Sequence, residues 1–200
     1  RVKEFLENNA DVDVLLLQET KCQDKNFPEL DLRMLGYDVV HLGLSQYNGV
    51  AILSKEDLTN PKFGFEVDTD PYVKDGRIIS AEVNGITVIS VYCPNGRDIE
   101  SEHYEMKLEW FDILKNHLQE LLKINPNIVV LGDLNITPAD EDVFDITKVQ
   151  MTTHITTKER DKLTSILNLG FVDAYRELYP EGEGFTYWDY RGGDFNNNRG

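Results

Sequence analysis

Cysteine is nearly absent. The 200-residue chain has two, Cys22 and Cys93, too few for a disulfide framework and read as buried free thiols of a reducing compartment. No apolar run approaches the roughly 18 residues that would suggest a membrane span. The opening Arg1-Val2-Lys3-Glu4-Phe5-Leu6 lacks the form of a signal peptide. A membrane partner is therefore not expected, and the cytoplasm, nucleoid or nucleus is the expected place of action. Positive charge is also scarce: 20 Lys and Arg stand against 36 Asp and Glu, a formal net charge of −16. Such a chain does not hold nucleic acid by bulk electrostatics. A nuclease is not excluded, because carboxylates must gather around a hard divalent cation, which then neutralises substrate charge locally. Lys21, Lys74, Arg77, Arg97, Arg191 and Arg199 fall near proposed strand ends, and most read as solvated.

Repeats, low-complexity tracts and interdomain linkers are missing too, so residues 1–200 read as one mixed α/β domain. Apolar runs predict strands at Val12 to Leu17, Tyr37 to Leu42, Val50 to Leu53, Ile78 to Val83, Ile86 to Tyr92 and Asn127 to Leu131. Asn84-Gly85 predicts a tight hairpin, hence a partly antiparallel sheet. Arg1 to Asn9 reads as the tail of a helix with Val2, Phe5 and Leu6 on one face; the chain is expected to continue upstream. Ser101 to Lys123 is the clearest helix, with Tyr104, Leu108, Phe111, Leu114, Leu118 and Leu121 as a buried stripe. Ser101 caps it and Asn125-Pro126 ends it. Thr156 and Glu159 have capping-box spacing, opening a helix that turns Leu163, Ile166 and Leu167 inward. A further short element starts at Phe171 to Arg176. Phe185 to Tyr190 looks β-like, and Asp194 to Gly200 reads as loop.

Three strands end in polar residues. Val14-Leu15-Leu16-Leu17 runs into Gln18-Glu19-Thr20-Lys21. The Ile86 strand ends in Tyr92-Cys93-Pro94-Asn95-Gly96. The run Ile128-Val129-Val130-Leu131 reads as a buried strand; Gly132 then turns the chain, and Asp133 and Asn135 point the same way in an extended segment. Ligands collect at such carboxyl ends. Taken singly, Gly-Asp is as often a capping turn, Glu19 a solvated loop residue and Tyr92 core. Together they offer the groups of a metal-dependent phosphoesterase. Glu19 can hold Mg²⁺, which prefers one or two carboxylates and keeps waters. Asp133 can take a proton from the attacking water. Asn135 can position Asp133 and donate to developing negative charge. Tyr92 can donate to a phosphate oxygen, and Asn95 can contact a substrate backbone.

These blocks resemble the exonuclease III family of abasic-site DNA repair nucleases, within the endonuclease/exonuclease/phosphatase superfamily. The resemblance rests on Leu17-Gln18-Glu19-Thr20-Lys21, Gly49 to Ser54, Tyr92 to Gly96 and Gly132-Asp133-Leu134-Asn135-Ile136-Thr137-Pro138. Glu159-Arg160, Gly170 to Arg176 and Phe185-Thr186-Tyr187-Trp188-Asp189-Tyr190-Arg191 match in the same order. It implies a four-layer α/β sandwich of two packed mixed sheets flanked by helices. It also implies Mg²⁺- or Mn²⁺-dependent cleavage of double-stranded DNA 5′ to abasic sites, or 3′-to-5′ exonuclease or 3′-phosphatase action, by a monomer. By resemblance Glu19 is a metal ligand, with Asp133 and Asn135 also beside the metal. Tyr92, Asp133 and Asn135 are the catalytic set. Asn95, Tyr187 and Trp188 are the substrate-binding set, Tyr187 lining a pocket for a flipped-out sugar. The alternative for Tyr187 and Trp188 is core packing.

The departures lie at the ends. Family members begin with a strand carrying an Asn near the metal. Asn198-Arg199-Gly200 looks like the opening of an Asn-x-Gly-x-Arg-hydrophobic-Asp signature, and the closing Asp-His pair is not present. His41, His103, His117 and His154 do not stand in for it on sequence grounds. The expectation is an incomplete copy of an active enzyme, weakly active or inactive as it stands. Two rival readings remain: a superfamily phosphoesterase acting on RNA or on inositol or phospholipid phosphates, and a DNA-binding module that has kept the fold without the chemistry.

Overall fold

Residues 1–65, 72, 75–149, 152–180, 184–189 and 192–200 are described by the structure, a computed structural model. Lys74, Tyr190 and Arg191 lie outside the described residues. The chain forms two compact units: Arg1–Cys93 with Glu120–Leu134, and Pro94–Gln119 with Asn135–Gly200.

The first unit contains helix α1 (Val2–Asn8), strand β1 (Val14–Gln18), helix α2 (Glu29–Arg33) and strands β2 (Asp38–Leu42), β3 (Val50–Ser54), β4 (Thr59–Phe63), β5 (Ile78–Val83), β6 (Ile86–Tyr92) and β7 (Ile128–Asp133). One sheet has the order β1-β3-β2, the other β4-β5-β6-β7. Alternation along β3 explains how they stack. Val50 and Ile52 join Leu42, Ile79, Ala81 and Val88 in a cluster between the sheets. Ala51 and Leu53 face the other way, onto Leu6, Leu32, Tyr37 and Val39. All five residues of β3 are buried. Phe5, expected on one face of α1 with Val2 and Leu6, is 44% exposed; Leu6 is buried in the core and Val2 packs against it.

At the hairpin, Asn84 (φ 50°) and Gly85 (φ 81°) both take the left-handed region, and Val83 pairs with Ile86, as a two-residue primed turn requires. β7 runs parallel to β6, so this sheet is mixed. Three expectations are corrected here. The β7 run is not buried: Val129 is 40% and Leu131 48% exposed, because among the described residues β7 pairs with β6 alone. β4 was not foreseen; it contains Pro61, tolerated because β4 is the opposite edge and exposed throughout. Residues 184–189 form no strand, since β-propensity without a pairing partner does not make one.

The second unit is helical. Helix α3 (Glu102–Leu122) begins there, followed by α4 (Ile146–Val149), α5 (Thr157–Leu167) and α6 (Ala174–Leu178). Ser101 Oγ accepts the Tyr104 amide at 3.3 Å. Tyr104, Leu108, Phe111, Leu114 and Leu118 are buried and Leu121 half-buried. The capping box at Thr156 and Glu159 forms on both sides; Ile166 is buried, Leu163 and Leu167 only partly. Both cysteines are free thiols, Cys93 buried and Cys22 half-buried. Among the described residues no helix is long and apolar enough to cross a membrane.

Candidate active site

Within the first unit, β1, β6 and β7 bring Glu19, Tyr92 and Asp133 to one edge. Strand β1 packs on β6 and β7, and Gln18 Nε2 donates to Ser90 Oγ at 3.0 Å. Beyond β1 the backbone turns sharply: Glu19 (φ 54°) and Lys21 (φ 53°) are both left-handed. Such residues cost about 1–3 kcal/mol each and persist where their surroundings over-determine them. Here Thr20 N donates to Gly49 O at 3.2 Å, Lys21 N to Asn48 O at 2.9 Å, and Thr20 Oγ1 lies 2.8 Å from His41 Nε2.

The Tyr92 hydroxyl donates a short hydrogen bond to Glu19 Oε1, and the Lys21 ammonium sits 2.7 Å from Glu19 Oε2. Lys21 and then Tyr92 hold the Glu19 carboxyl below its ordinary range, against the opposing effect of burial. Burial first, and the facing Glu19 carboxylate second, push the Tyr92 phenol up. Tyr92 is thus a protonated donor at neutral pH. Arg77, one of six cations of which most read as solvated, is packed, with a side chain only 14% exposed. Its Nη1 donates to Tyr92 O at 3.2 Å, and its guanidinium lies 4.9 Å over the Tyr92 ring. In metal-free protein, Tyr92→Phe deletes a donor to the ionised Glu19, so the Glu19 pKa should rise. Carboxyl-carbon NMR titration of the two proteins checks this; an unmoved pKa would contradict the assigned bond.

Asp133 ends β7 and pairs in register with Tyr92; its carbonyl accepts the Cys93 amide at 2.8 Å. Its carboxylate is near enough to raise the Tyr92 phenol further. Gly132 is not the turn expected. It lies inside β7 at φ 145°, and a Cβ there would stand 2.0 Å from Val91 O. The glycine lets β7 close against β6 and so places Asp133. Gly132→Ala should cost about 3 kcal/mol or more, combining overpacking with backbone strain. Urea denaturation measures it, and a change under about 1 kcal/mol would contradict the geometry.

Asn135 does not continue the extended segment. β7 stops at Asp133, and Asn135 takes φ 50°, a conformation Asn tolerates better than most residues. In the second unit its Oδ1 accepts Asn95 Nδ2 at 3.4 Å, and Asn95 Oδ1 accepts the Arg97 amide at 3.1 Å. His154, to which no role is assigned on sequence grounds, joins this pair. Its Nε2 lies 3.4 Å from Asn95 Nδ2 and its Nδ1 2.5 Å from Asn135 O. Lys107 Nζ, which only donates, also faces this ring, 3.2 Å from Nδ1.

Behind them stands a pair the sequence reading missed. Lys107 and Glu159 are both fully buried, with Lys107 Nζ 2.5 Å from Glu159 Oε1. Burial pushes the Glu159 carboxyl up, but Lys107, Thr153, the His154 amide and Thr156 prevail and hold it at about 2. A signal was available: Lys107 follows Tyr104 by three and precedes Phe111 by four, so it lies on the buried stripe. Of the substrate-binding expectations, Tyr187 is 69% exposed, which overturns core packing for it. Trp188 is half-buried and meets Phe195 edge-on at 5.2 Å.

Among the described residues no cluster of three or more His, Cys, Asp or Glu is arranged to hold a metal. A closed zinc-type cage is therefore absent from them. Glu19 and Asp133 supply oxygen only, a donor set that fits a hard cation bound by one or two carboxylates and retained waters.

The Endonuclease/Exonuclease/phosphatase family matches residues 1–200. The chain is 34% identical over 181 residues to recombination repair protein 1 of Drosophila melanogaster, covering 89% of this chain and 26% of that protein. It is 31% identical over 193 residues to the exodeoxyribonuclease of Bacillus subtilis, covering 95% of this chain and 74% of that one. The chain thus spans about a quarter of the first relative and about three quarters of the second. Among solved structures, a 3′-5′ exonuclease from Neisseria meningitidis superposes with a TM-score of 0.94 at 36% identity, over 100% of this chain and 78% of that one. An AP endonuclease from Archaeoglobus fulgidus gives 0.91 at 35%, over 100% and 76%. The chain belongs to the endonuclease/exonuclease/phosphatase family, as the resemblance in its strand-end blocks implies. Its architecture of two sheets flanked by helices is that of these neighbours. The family is a class of divalent-metal-dependent hydrolases.

Proposed function

We propose that this protein hydrolyses phosphodiester bonds of double-stranded DNA in base excision repair, incising 5′ to abasic sites or removing residues from 3′ ends. The single observation that carries the reading is the Glu19, Tyr92 and Asp133 assembly at the ends of β1, β6 and β7. Its support is the printed activities of the relatives, an exodeoxyribonuclease, a 3′-5′ exonuclease and an AP endonuclease. We assign Mg²⁺ or Mn²⁺ to Glu19, with Asp133 and Asn135 beside it. When bound, the ion supplies Lewis-acid polarisation of a phosphate oxygen.

Asp133 takes the proton of the attacking water as its oxygen bonds to phosphorus, and the leaving oxygen departs with the electron pair of the broken bond. Tyr92, a protonated phenol, gives its single O–H to Glu19 without substrate and turns it to a phosphate oxygen when substrate is bound. Asn135 donates to the charge that develops on the equatorial oxygens. Asn95 contacts the substrate backbone; Tyr187 and Trp188 meet the sugar, Tyr187 being exposed as a contact with a flipped-out residue needs. We read residues 1–200 as one domain, acting as a monomer in the cytoplasm, nucleoid or nucleus.

The test is product analysis with the full-length protein on three duplexes: one with a stable abasic-site analogue, one with a recessed 3′ end, and one of RNA. Mg²⁺-dependent cleavage of either DNA, suppressed by EDTA, is the expected result. Cleavage of RNA alone, or of neither DNA, would overturn the reading in favour of another phosphoesterase of the family.

A further inference from the structure

We propose that Lys107 and Glu159 are positioning residues that fix the backbone of Asn95 and Asn135 through one shared ammonium group. The inference rests on the reading of Asn95 and Asn135 as substrate-facing. Lys107 Nζ lies 2.5 Å from Asn135 O and 3.4 Å from Asn95 O, and 3.2 Å from Thr153 Oγ1. The same ammonium therefore reaches the carbonyls of both asparagines, residues 40 positions apart in the chain. Glu159 completes the frame. Its Oε1 accepts the His154 amide at 2.8 Å and Thr153 Oγ1 at 2.7 Å. Its Oε2 accepts the Thr156 amide at 3.0 Å.

Stability alone does not account for this arrangement. A buried ion pair is often no better for stability than well-packed apolar residues of the same volume. What charge offers here is direction: two carbonyls on separate segments are drawn to one point. The Asn135 backbone needs such restraint, being left-handed (φ 50°), as is His154 (φ 86°), whose amide Glu159 holds. The segment following Asn95 is also pressed onto the lysine stem; a Cβ at Gly96 (φ 89°) would stand 3.0 Å from Lys107 Cδ. An asparagine amide that donates to a transition state loses its effect with a small displacement, about a hundredfold for one ångström.

The double variant Lys107→Met, Glu159→Gln removes both charges at nearly constant volume, leaving no lone buried ion. It is compared with the full-length parent by thermal melting, by kcat and KM on abasic-analogue DNA, and by amide hydrogen exchange. The expected result is a folded protein with kcat lowered at least about tenfold and KM within about threefold. Amides around residues 94–97 and 134–137 should exchange faster than in the parent. A folded double variant with the parent's kcat and exchange would overturn the proposal. If the double variant does not fold, Lys107→Arg replaces it: the cation stays beside Glu159, but its planar fork aims donors elsewhere. Lowered kcat at constant KM then supports positioning, and unchanged kcat overturns it. A parent that cuts no DNA at all sinks the functional reading alone; the exchange comparison still decides the positioning claim.

Discussion

Asp133→Asn should lower kcat on abasic-analogue DNA by about a thousandfold while leaving KM within a few-fold, as loss of a general base usually costs 10²–10⁴. The amide keeps the size of the carboxyl but does not accept a proton at neutral pH. The fold has little reason to respond. What holds β7 at this point is backbone: pairing with Tyr92, the Cys93 amide on the Asp133 carbonyl and the close approach of Gly132. Steady-state kinetics together with a thermal melt check both halves. A variant retaining more than about a tenth of the parent's kcat would remove Asp133 from the role of base.

Glu159→Gln carries the largest expected cost in stability. It strands the Lys107 ammonium, fully buried, beside a neutral amide, and breaking a buried pair from one side costs about 3–5 kcal/mol. Removing both charges together should cost far less than the two single changes summed, a non-additivity that a double-mutant cycle measures. The pair also predicts an acid limb. The Glu159 carboxyl falls from 4.5 to about 2 on folding, so the folded state binds fewer protons than the unfolded state between those values. Its contribution, about 3 kcal/mol at 1.36 kcal/mol per unit, is present above pH 4.5 and lost as pH falls toward 2. Denaturant melts of parent and Glu159→Gln at pH 7 and pH 2.5 measure it. The difference between the two should shrink at the lower pH; a constant difference would contradict the buried-pair account.

Much of the fold was readable because it follows from local rules. The strands appear as apolar runs, the hairpin as Asn84-Gly85, and α5 as the spacing of Thr156 and Glu159. Failures arose where a neighbour decides. The apolar run in β7 does not reveal that, among the described residues, the strand pairs with β6 alone, and residues 185–189 carry β-propensity but form no strand. Pro61 reads as a breaker unless it is known to stand on an edge.

The site divides the same way. Glu19, Tyr92 and Asp133 were legible because each is the polar end of a hydrophobic run, a pattern carried within one short segment. Lys107, Glu159 and His154 were not, because their meaning lies in contacts across 28 to 52 positions. Glu159 reads as half of a capping box and as part of a family block; one of its oxygens fills the first role while the other binds Lys107. The place of Arg77 is not legible, because nothing in the sequence tells of the Tyr92 ring beneath it.

The most direct test of the central claim is incision of a duplex bearing one stable abasic-site analogue by the full-length protein, with Mg²⁺ and with EDTA, beside Glu19→Gln. The account predicts a nick 5′ to the lesion that requires the metal and is nearly lost in the variant. Metal-independent incision, or full activity without the Glu19 carboxylate, would contradict it.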